Sequence, residues 1–446
     1  MLAPSVFKAY DIRGIYPREL DEDGAYCVGR AYAEHFEPRA VAVGHDMRTS
    51  SPALYRAVVE GVADAGSDVA ELGLVGTEML YHAVSELSLD GGICVTASHN
   101  PKEYTGMKIV RRGALPVGGD SGLAEIRARA EAGFGPARQR GSVRSEDVWP
   151  SFVSKVLSFV DVESIVPLRV VVDAANGMAG AMLPPVLERL PQLDVVRCYF
   201  EPDGTFPNHQ PNPLLPENRE FIIAKVGEEK ADLGVAYDGD ADRCFFVDDT
   251  GEFVPGDFVT ALLAEAVLSK SPGEKVIYDV RASRAVPETI ERCGGTPLVN
   301  RVGHAFIKQR MRAEDAVFAG EVSAHYYFRD FSQADSGVVP FLLLLELISK
   351  SGRKLSEILA PYRERFFLTG EINTPVADVA EKLRELEERF ADGTVTSLDG
   401  ISVDYDDWHF NVRPSNTEPL LRLNLEAFSE EEMERRRDEV LDLIRS

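Results

Sequence analysis

The chain has 446 residues, 44% hydrophobic and 27% charged, the composition of a water-soluble globular protein; its length fits about three or four domains with separate cores. A net charge of −25 argues against nucleic acid and anionic membranes as partners, since both require a basic footprint. Lys8, Asp11 and Arg13 interrupt any secretory signal, no apolar run is long enough to span a membrane, and the five cysteines lack CxxC spacing. Reduced thiols in a cytoplasmic protein are the expectation.

In chain order, residues 39–43 read as a strand, Gly44 to Ser50 as a loop and residues 52–65 as a helix. The apolar run Gly92-Ile93-Cys94-Val95 reads as a buried strand that delivers Thr96-Ala97-Ser98-His99-Asn100-Pro101. Loops at the C-terminal ends of such strands face the ligand crevice of an open α/β sheet. A serine flanked by a histidine and followed by the turn-forming Asn-Pro is well placed there to act on a substrate. The competing reading is a surface turn whose Ser and Asn only satisfy the backbone. A break rich in Gly, Pro and charge covers residues 135–150.

The next unit opens with a strand at residues 168–173, a loop from Ala174 to Gly180 and a helix through Leu190. Between the strand-like runs 233–237 and 244–247 lies Asp238-Gly239-Asp240-Ala241-Asp242-Arg243. Alternate carboxylates share one side of an extended chain. Fully extended, the outer pair would stand about 13 Å apart, whereas magnesium wants oxygens at about 2.1 Å. The loop must therefore curl, which the small residues Gly239 and Ala241 permit. Without an ion the three carboxylates would repel one another. An EF-hand is excluded because its sixth position is Arg243 rather than Gly, and its twelfth is Asp249 rather than Glu.

A third unit begins near Gly251, with strands at 275–278 and 316–319 and a buried helix at 338–348. Strand–helix alternation indicates largely parallel sheets. From about Leu368 the pattern changes to mixed strands, including 420–425, and a terminal helix. That helix has a capping box, Ser429 with Glu432, and an apolar stripe at Met433, Val440, Leu441 and Ile444.

The Thr-Ala-Ser-His-Asn-Pro loop resembles the phosphoserine loop of the α-D-phosphohexomutases, which move a phosphoryl group between O1 and O6 of a hexose. The Asp-Gly-Asp-Ala-Asp-Arg segment is similar to that family's metal loop. Gly320-Glu321-Val322-Ser323-Ala324-His325 resembles its sugar loop, and the string through Phe331 looks most like the bacterial phosphomannomutase branch. Arg413-Pro414-Ser415-Asn416-Thr417-Glu418-Pro419 resembles its phosphate-binding loop. Phe7-Lys8-Ala9-Tyr10-Asp11-Ile12-Arg13-Gly14 also fits the family pattern.

The resemblance spans essentially the whole chain and implies an α/β protein of three similar mixed α/β domains and a smaller C-terminal α+β domain around a cleft. The implied boundaries are 1–148, 149–250, 251–366 and 367–446. It implies catalytic roles for Ser98, His99, Lys108, Arg13 and Arg243, and one Mg2+ held by Ser98, Asp238, Asp240 and Asp242. Substrate contacts are implied for Tyr10, Arg281, His304, Glu321, Ser323, His325, Arg413, Ser415, Asn416 and Thr417. His99, Lys108, His304 and His325 are all open candidates for the proton carrier. The implied partners are small hexose phosphates, with a hexose 1,6-bisphosphate as activator and intermediate. The implied activity is that of a phosphomannomutase that also takes glucose phosphates, with phosphoglucomutase or phosphoglucosamine mutase as the alternatives. A metal-dependent phosphatase or a non-catalytic sugar-phosphate binder would share some of these residues. The first lacks its usual extra His or Asp ligands here, and the second should have lost Ser98 or an aspartate.

Overall fold

The computed structural model describes residues 2–136, 139–415 and 420–446. It divides into two compact units, Met1–Val254 with Ala324–Leu355, and Pro255–Ser323 with Ser356–Ser446.

In the first unit, strands Gly91–Val95, Ala40–His45 and Asp68–Leu74 run parallel and side by side. Tyr104–Arg111 then pairs antiparallel with Gly91–Val95, and Ile12–Ile15 antiparallel with Tyr104–Arg111. Every residue of Gly91–Val95 is buried, as its unbroken apolar run requires. Helices Glu22–Phe36 and Ser51–Asp64 press backbone to backbone on this sheet. A Cβ added at Gly61 would sit 2.2 Å from the Tyr26 carbonyl oxygen.

The second sheet repeats the plan. Leu233–Tyr237 is parallel to Arg169–Asp173 and antiparallel to Cys244–Asp248. The expectation of largely parallel sheets is thus corrected: each is mixed, and the switch to antiparallel pairing falls at the loop of interest. A short connection can join only antiparallel neighbours, since a parallel pair needs a long crossover. Ser98 and the three aspartates therefore occupy equivalent hairpin turns in two related sheets.

The break at 135–150 still contributes a strand, Val143–Ser145, parallel to Asp68–Leu74. Its three residues are all exposed, which leaves no apolar alternation to read. Helix Val338–Ser351 is buried along most of its length. Its one internal charge, Glu346, accepts from the Asp161 amide at 2.9 Å and from Lys350.

In the second unit, Lys275–Asp279 lies between Thr296–Asn300 and Phe318–Gly320, all parallel. Its C-terminal part is an antiparallel sheet in the order Phe367–Leu368, Leu420–Ala427, Trp408–Pro414, Ile401–Asp404, Thr394–Thr396. Trp408, Phe410, Leu423 and Leu425 form its core with Leu386, Val440, Leu441 and Ile444, and Met433 packs against the edge. Ser429 caps helix Glu430–Arg445 by accepting the Glu432 amide. The reciprocal half of the box does not form, because the Glu432 carboxylate pairs with Arg435 and Arg436 instead.

All five cysteines are free thiols, with Cys94, Cys198 and Cys244 buried and Cys27 and Cys293 half-buried. No helix among the described residues is long and apolar enough to cross a membrane.

Candidate active site

Ser98 sits just past the buried strand Gly91–Val95, in the left-handed region at φ 48°. That bend aims its Oγ at the second sheet's hairpin, where it donates to Asp238 Oδ2 at 2.9 Å and lies 3.2 Å from His99 Nδ1. The two hairpins touch through backbone. A Cβ on Gly239 would fall 2.3 Å from the Ser98 carbonyl oxygen, so only glycine allows the approach.

Two arginines fix the serine loop. Arg48 is fully buried and donates to the carbonyl oxygens of Ser98 (2.8 Å), Asn100 (2.6 Å), Pro101 (2.8 Å) and Tyr104 (3.1 Å). Arg13, on the neighbouring strand, donates to the Ala97 carbonyl at 2.6 Å and to the Asn100 side chain, while Asp11 accepts from its Nε at 2.8 Å. Tyr10 is half-buried in the turn just before that strand.

Asp238, Asp240 and Asp242 are buried, and their ligand oxygens lie within 4.8 Å of one another. The predicted curl is present, and Ala241 takes φ 62° to make it. Arg243 holds Asp238 through Nε at 2.9 Å, and Lys108 donates to Asp240 at 2.7 Å and to Asp242. Asp240 Oδ1 and Asp242 Oδ1 are buried without a hydrogen-bond partner among the described residues. Burial and the charge of Asp240 push the Asp242 carboxyl up to about 6. Two orphaned hard oxygens in a crowded acidic turn are what a small divalent cation would satisfy, so the donor set fits one. Burial, with Arg243 and Arg13 close by, holds the His99 imidazole well below its ordinary value.

His325 also belongs to this unit. Its Nδ1 lies 3.0 Å from Asp335, and both come within 4.8 Å of Asp242, so an additional His and Asp stand beside the aspartate turn where the sequence showed none. The predicted serine loop, aspartate loop, Lys108, Arg243, Arg13 and His325 thus come together in the first unit.

In the second unit, Arg281 is held by Asp279 through Nε at 2.9 Å and Nη2 at 2.8 Å, and approaches Glu321 at 4.0 Å. Glu321 accepts from the Gly303 amide at 3.1 Å, which draws the loop before His304 against the sugar loop. His304 begins helix His304–Glu314, and Ser323 is half-buried two residues past Glu321. Arg413 is buried at the end of strand Trp408–Pro414 and donates to Glu371 at 3.0 Å. Ser415 Oγ accepts from Arg422 at 3.4 Å. Asn416 and Thr417 lie outside the described residues.

Sequence reading missed Arg48, Asp335, Glu371 and Arg422. Only Arg48 left a local trace: Asp46 and Arg48 form an opposite-charge pair in a loop just after a buried strand, 3.4 Å apart in the structure.

Three related α/β sheets followed by an antiparallel C-terminal sheet, with polar loops at their strand ends, define a multidomain α/β class of protein. Residues 4–134, 150–251 and 255–366 match phosphoglucomutase/phosphomannomutase alpha/beta/alpha domains I, II and III, and 371–443 the C-terminal domain of the same family. The chain is 45% identical to a phosphomannomutase of Salmonella montevideo, covering 99% of each. It is also 45% identical to phosphohexose mutases of Xanthomonas campestris pv. campestris, covering 98% of this chain and 99% of the relative. A solved structure of a family protein from Burkholderia thailandensis superposes with a TM-score of 0.90 at 35% identity, covering 99% and 97% of the two chains. The chain belongs to the phosphoglucomutase/phosphomannomutase family.

Proposed function

We propose that the protein is a phosphomannomutase, interconverting mannose 6-phosphate and mannose 1-phosphate and also accepting glucose phosphates. One observation carries this reading. Ser98 Oγ lies 2.9 Å from Asp238, the first member of a buried aspartate cluster that leaves two oxygens unpartnered among the described residues. Free thiols suit work in the reducing cytoplasm.

In this reading a phosphoryl group on Ser98 passes to the free hydroxyl of the bound sugar phosphate. The Ser98 Oγ–P bond breaks as the sugar O–P bond forms, giving a hexose 1,6-bisphosphate. A magnesium ion held by Asp238, Asp240, Asp242 and Ser98 supplies charge neutralisation when bound. Arg243, on the Asp238 that Ser98 Oγ contacts, and Lys108, on Asp240 and Asp242, add fixed positive charge to the turn, which is what phosphoryl transfer most needs. Asp335 accepts a hydrogen bond from Nδ1–H of His325, which leaves Nε2 as the nitrogen to take the proton of the attacking hydroxyl. Arg48 and Arg13 hold the serine loop rigid, so that little reorganisation is required. The bisphosphate then turns over, and Ser98 recovers the other phosphoryl group.

Glu321 and Ser323 supply the grip on two neighbouring sugar hydroxyls. A flip that exchanges C1 and C6 lets O3 and O4 swap places against the same two groups. The C2 substituent, where mannose and glucose differ, meets a different surroundings in each orientation. Strict demand for one C2 configuration would therefore obstruct one half-reaction. We expect kcat/KM for mannose 1-phosphate and glucose 1-phosphate to differ by less than about a hundred-fold, far below the 10⁴–10⁵ of a site built around one hydroxyl. A coupled assay of both sugars at one bisphosphate and magnesium concentration tests this. A preference above about 10⁴ for either would defeat the dual-substrate reading.

Arg413 is the anchor for the phosphate that does not react. A charge-assisted contact of this kind is worth about 1.5–3 kcal/mol. Arg413→Ala should therefore weaken binding roughly ten- to hundred-fold for both substrate isomers. An unaltered KM for both would remove the role.

A further inference from the structure

Three guanidinium groups from separate segments of the second unit converge on Glu371, which lies immediately before strand Ile372–Pro375. Arg413 Nη2 donates to Glu371 Oε2 at 3.0 Å and Arg422 Nη1 to Oε1 at 2.9 Å, while Arg281 Nη1 stands 3.5 Å away. Arg281 already has Asp279 as its close partner. Arg413 and Arg422 face each other directly across antiparallel strands, a placement that repels unless an anion lies between them. Although burial pushes the Glu371 carboxyl up, the three arginines together hold it below its ordinary range.

Two features separate this from a merely structural ion pair. The Glu371 side chain remains 24% exposed, so a solute can reach the point where the arginines meet. Arg413 Nε is buried with no hydrogen-bond partner among the described residues, so its donor fork is only partly used by the carboxylate. A carboxylate and a phosphate present the same pair of oxygens to such a fork.

We propose that Glu371 is the resident counter-ion of Arg413 and Arg422, which the phosphate of the sugar must displace on binding and which returns as that phosphate leaves. This rests on Arg413 being the phosphate anchor. Arg413 is then never left as an uncompensated buried cation, the costly state of a broken ion pair. The arrangement weakens ground-state binding of phosphate and speeds its departure. A bisphosphate that must release one end and present the other needs that departure, whereas uniformly tight binding would slow turnover.

The test uses Glu371→Gln in the full chain, with inorganic phosphate as the probe in a calorimetric titration at low salt and fixed pH. Removing a full negative charge beside a dianion, while keeping the side chain's size and hydrogen bonds, should tighten phosphate binding about ten-fold or more. The KM for hexose 1-phosphate should fall, and kcat should fall with it. Glu371→Asp, which keeps the charge, should bind phosphate as the wild type does. In an Arg413→Ala background, Glu371→Gln should bring a smaller gain, since only Arg422 and the more distant Arg281 then remain to be released. Phosphate binding that is unchanged or weaker in Glu371→Gln would overturn the proposal and make the carboxylate a scaffold for the arginines. Phosphate binding that Arg413→Ala leaves untouched would instead remove the anchor on which the proposal rests. Failure of the mutase reading would register separately, as wild-type protein that binds phosphate but does not turn over hexose phosphates.

Discussion

Ser98→Ala is expected to abolish mutase turnover, by at least about 10⁴-fold, because it deletes the atom that carries the phosphoryl group between half-reactions. The variant should remain folded. Alanine meets the same backbone demand at φ 48° as serine does, and Arg48 and Arg13 grip the loop through carbonyl oxygens that the change leaves in place. Asp238 loses one charge-assisted donor but keeps Arg243, so the stability loss should be no more than about 1.5–3 kcal/mol. Thermal unfolding and activity measured on one preparation separate the two effects. Near wild-type turnover from a folded Ser98→Ala protein would end the phosphoserine assignment.

The second large effect is expected at the aspartate turn. Asp242→Asn keeps the volume but removes a charge from a cluster whose ligand oxygens lie within 4.8 Å of one another. A hard divalent ion is then held by two charged carboxylates rather than three. The magnesium requirement should move at least about ten-fold higher, and turnover at saturating metal should fall about a hundred-fold or more. Stability should not fall in parallel, since without an ion the three carboxylates repel and losing one relieves that repulsion. Activity that survives exhaustive chelation, or an unshifted magnesium dependence in Asp242→Asn, would contradict the metal role.

The candidate loops were legible because each is contiguous in sequence and directly follows a buried strand. The serine loop after Gly91–Val95 and the aspartates after Leu233–Tyr237 signal themselves by residue type alone. What could not be read is what distant segments do to one another. Arg48 is an ordinary loop arginine until the fold brings around it three carbonyl oxygens from the serine loop and that of Tyr104, where the next strand begins. Gly239 reads as a residue that eases a curl, and its tighter constraint, contact with the Ser98 backbone, exists only in three dimensions. Glu371 lies in no motif, and the three arginines that define it come from positions 281, 413 and 422. The exposed edge strand Val143–Ser145 was invisible for the opposite reason, since it has no buried face to impose a period.

The most direct measurement is of the phosphoryl group itself. The purified protein is incubated with a hexose 1,6-bisphosphate and magnesium, desalted, weighed intact and digested for phosphopeptide mapping. It is then chased with mannose 1-phosphate. The account predicts one phosphoryl group on the peptide containing Ser98, lost on the chase in proportion to the bisphosphate formed. An actively turning-over protein whose Ser98 stays unmodified throughout, or whose transferable phosphate maps to another residue, would contradict it.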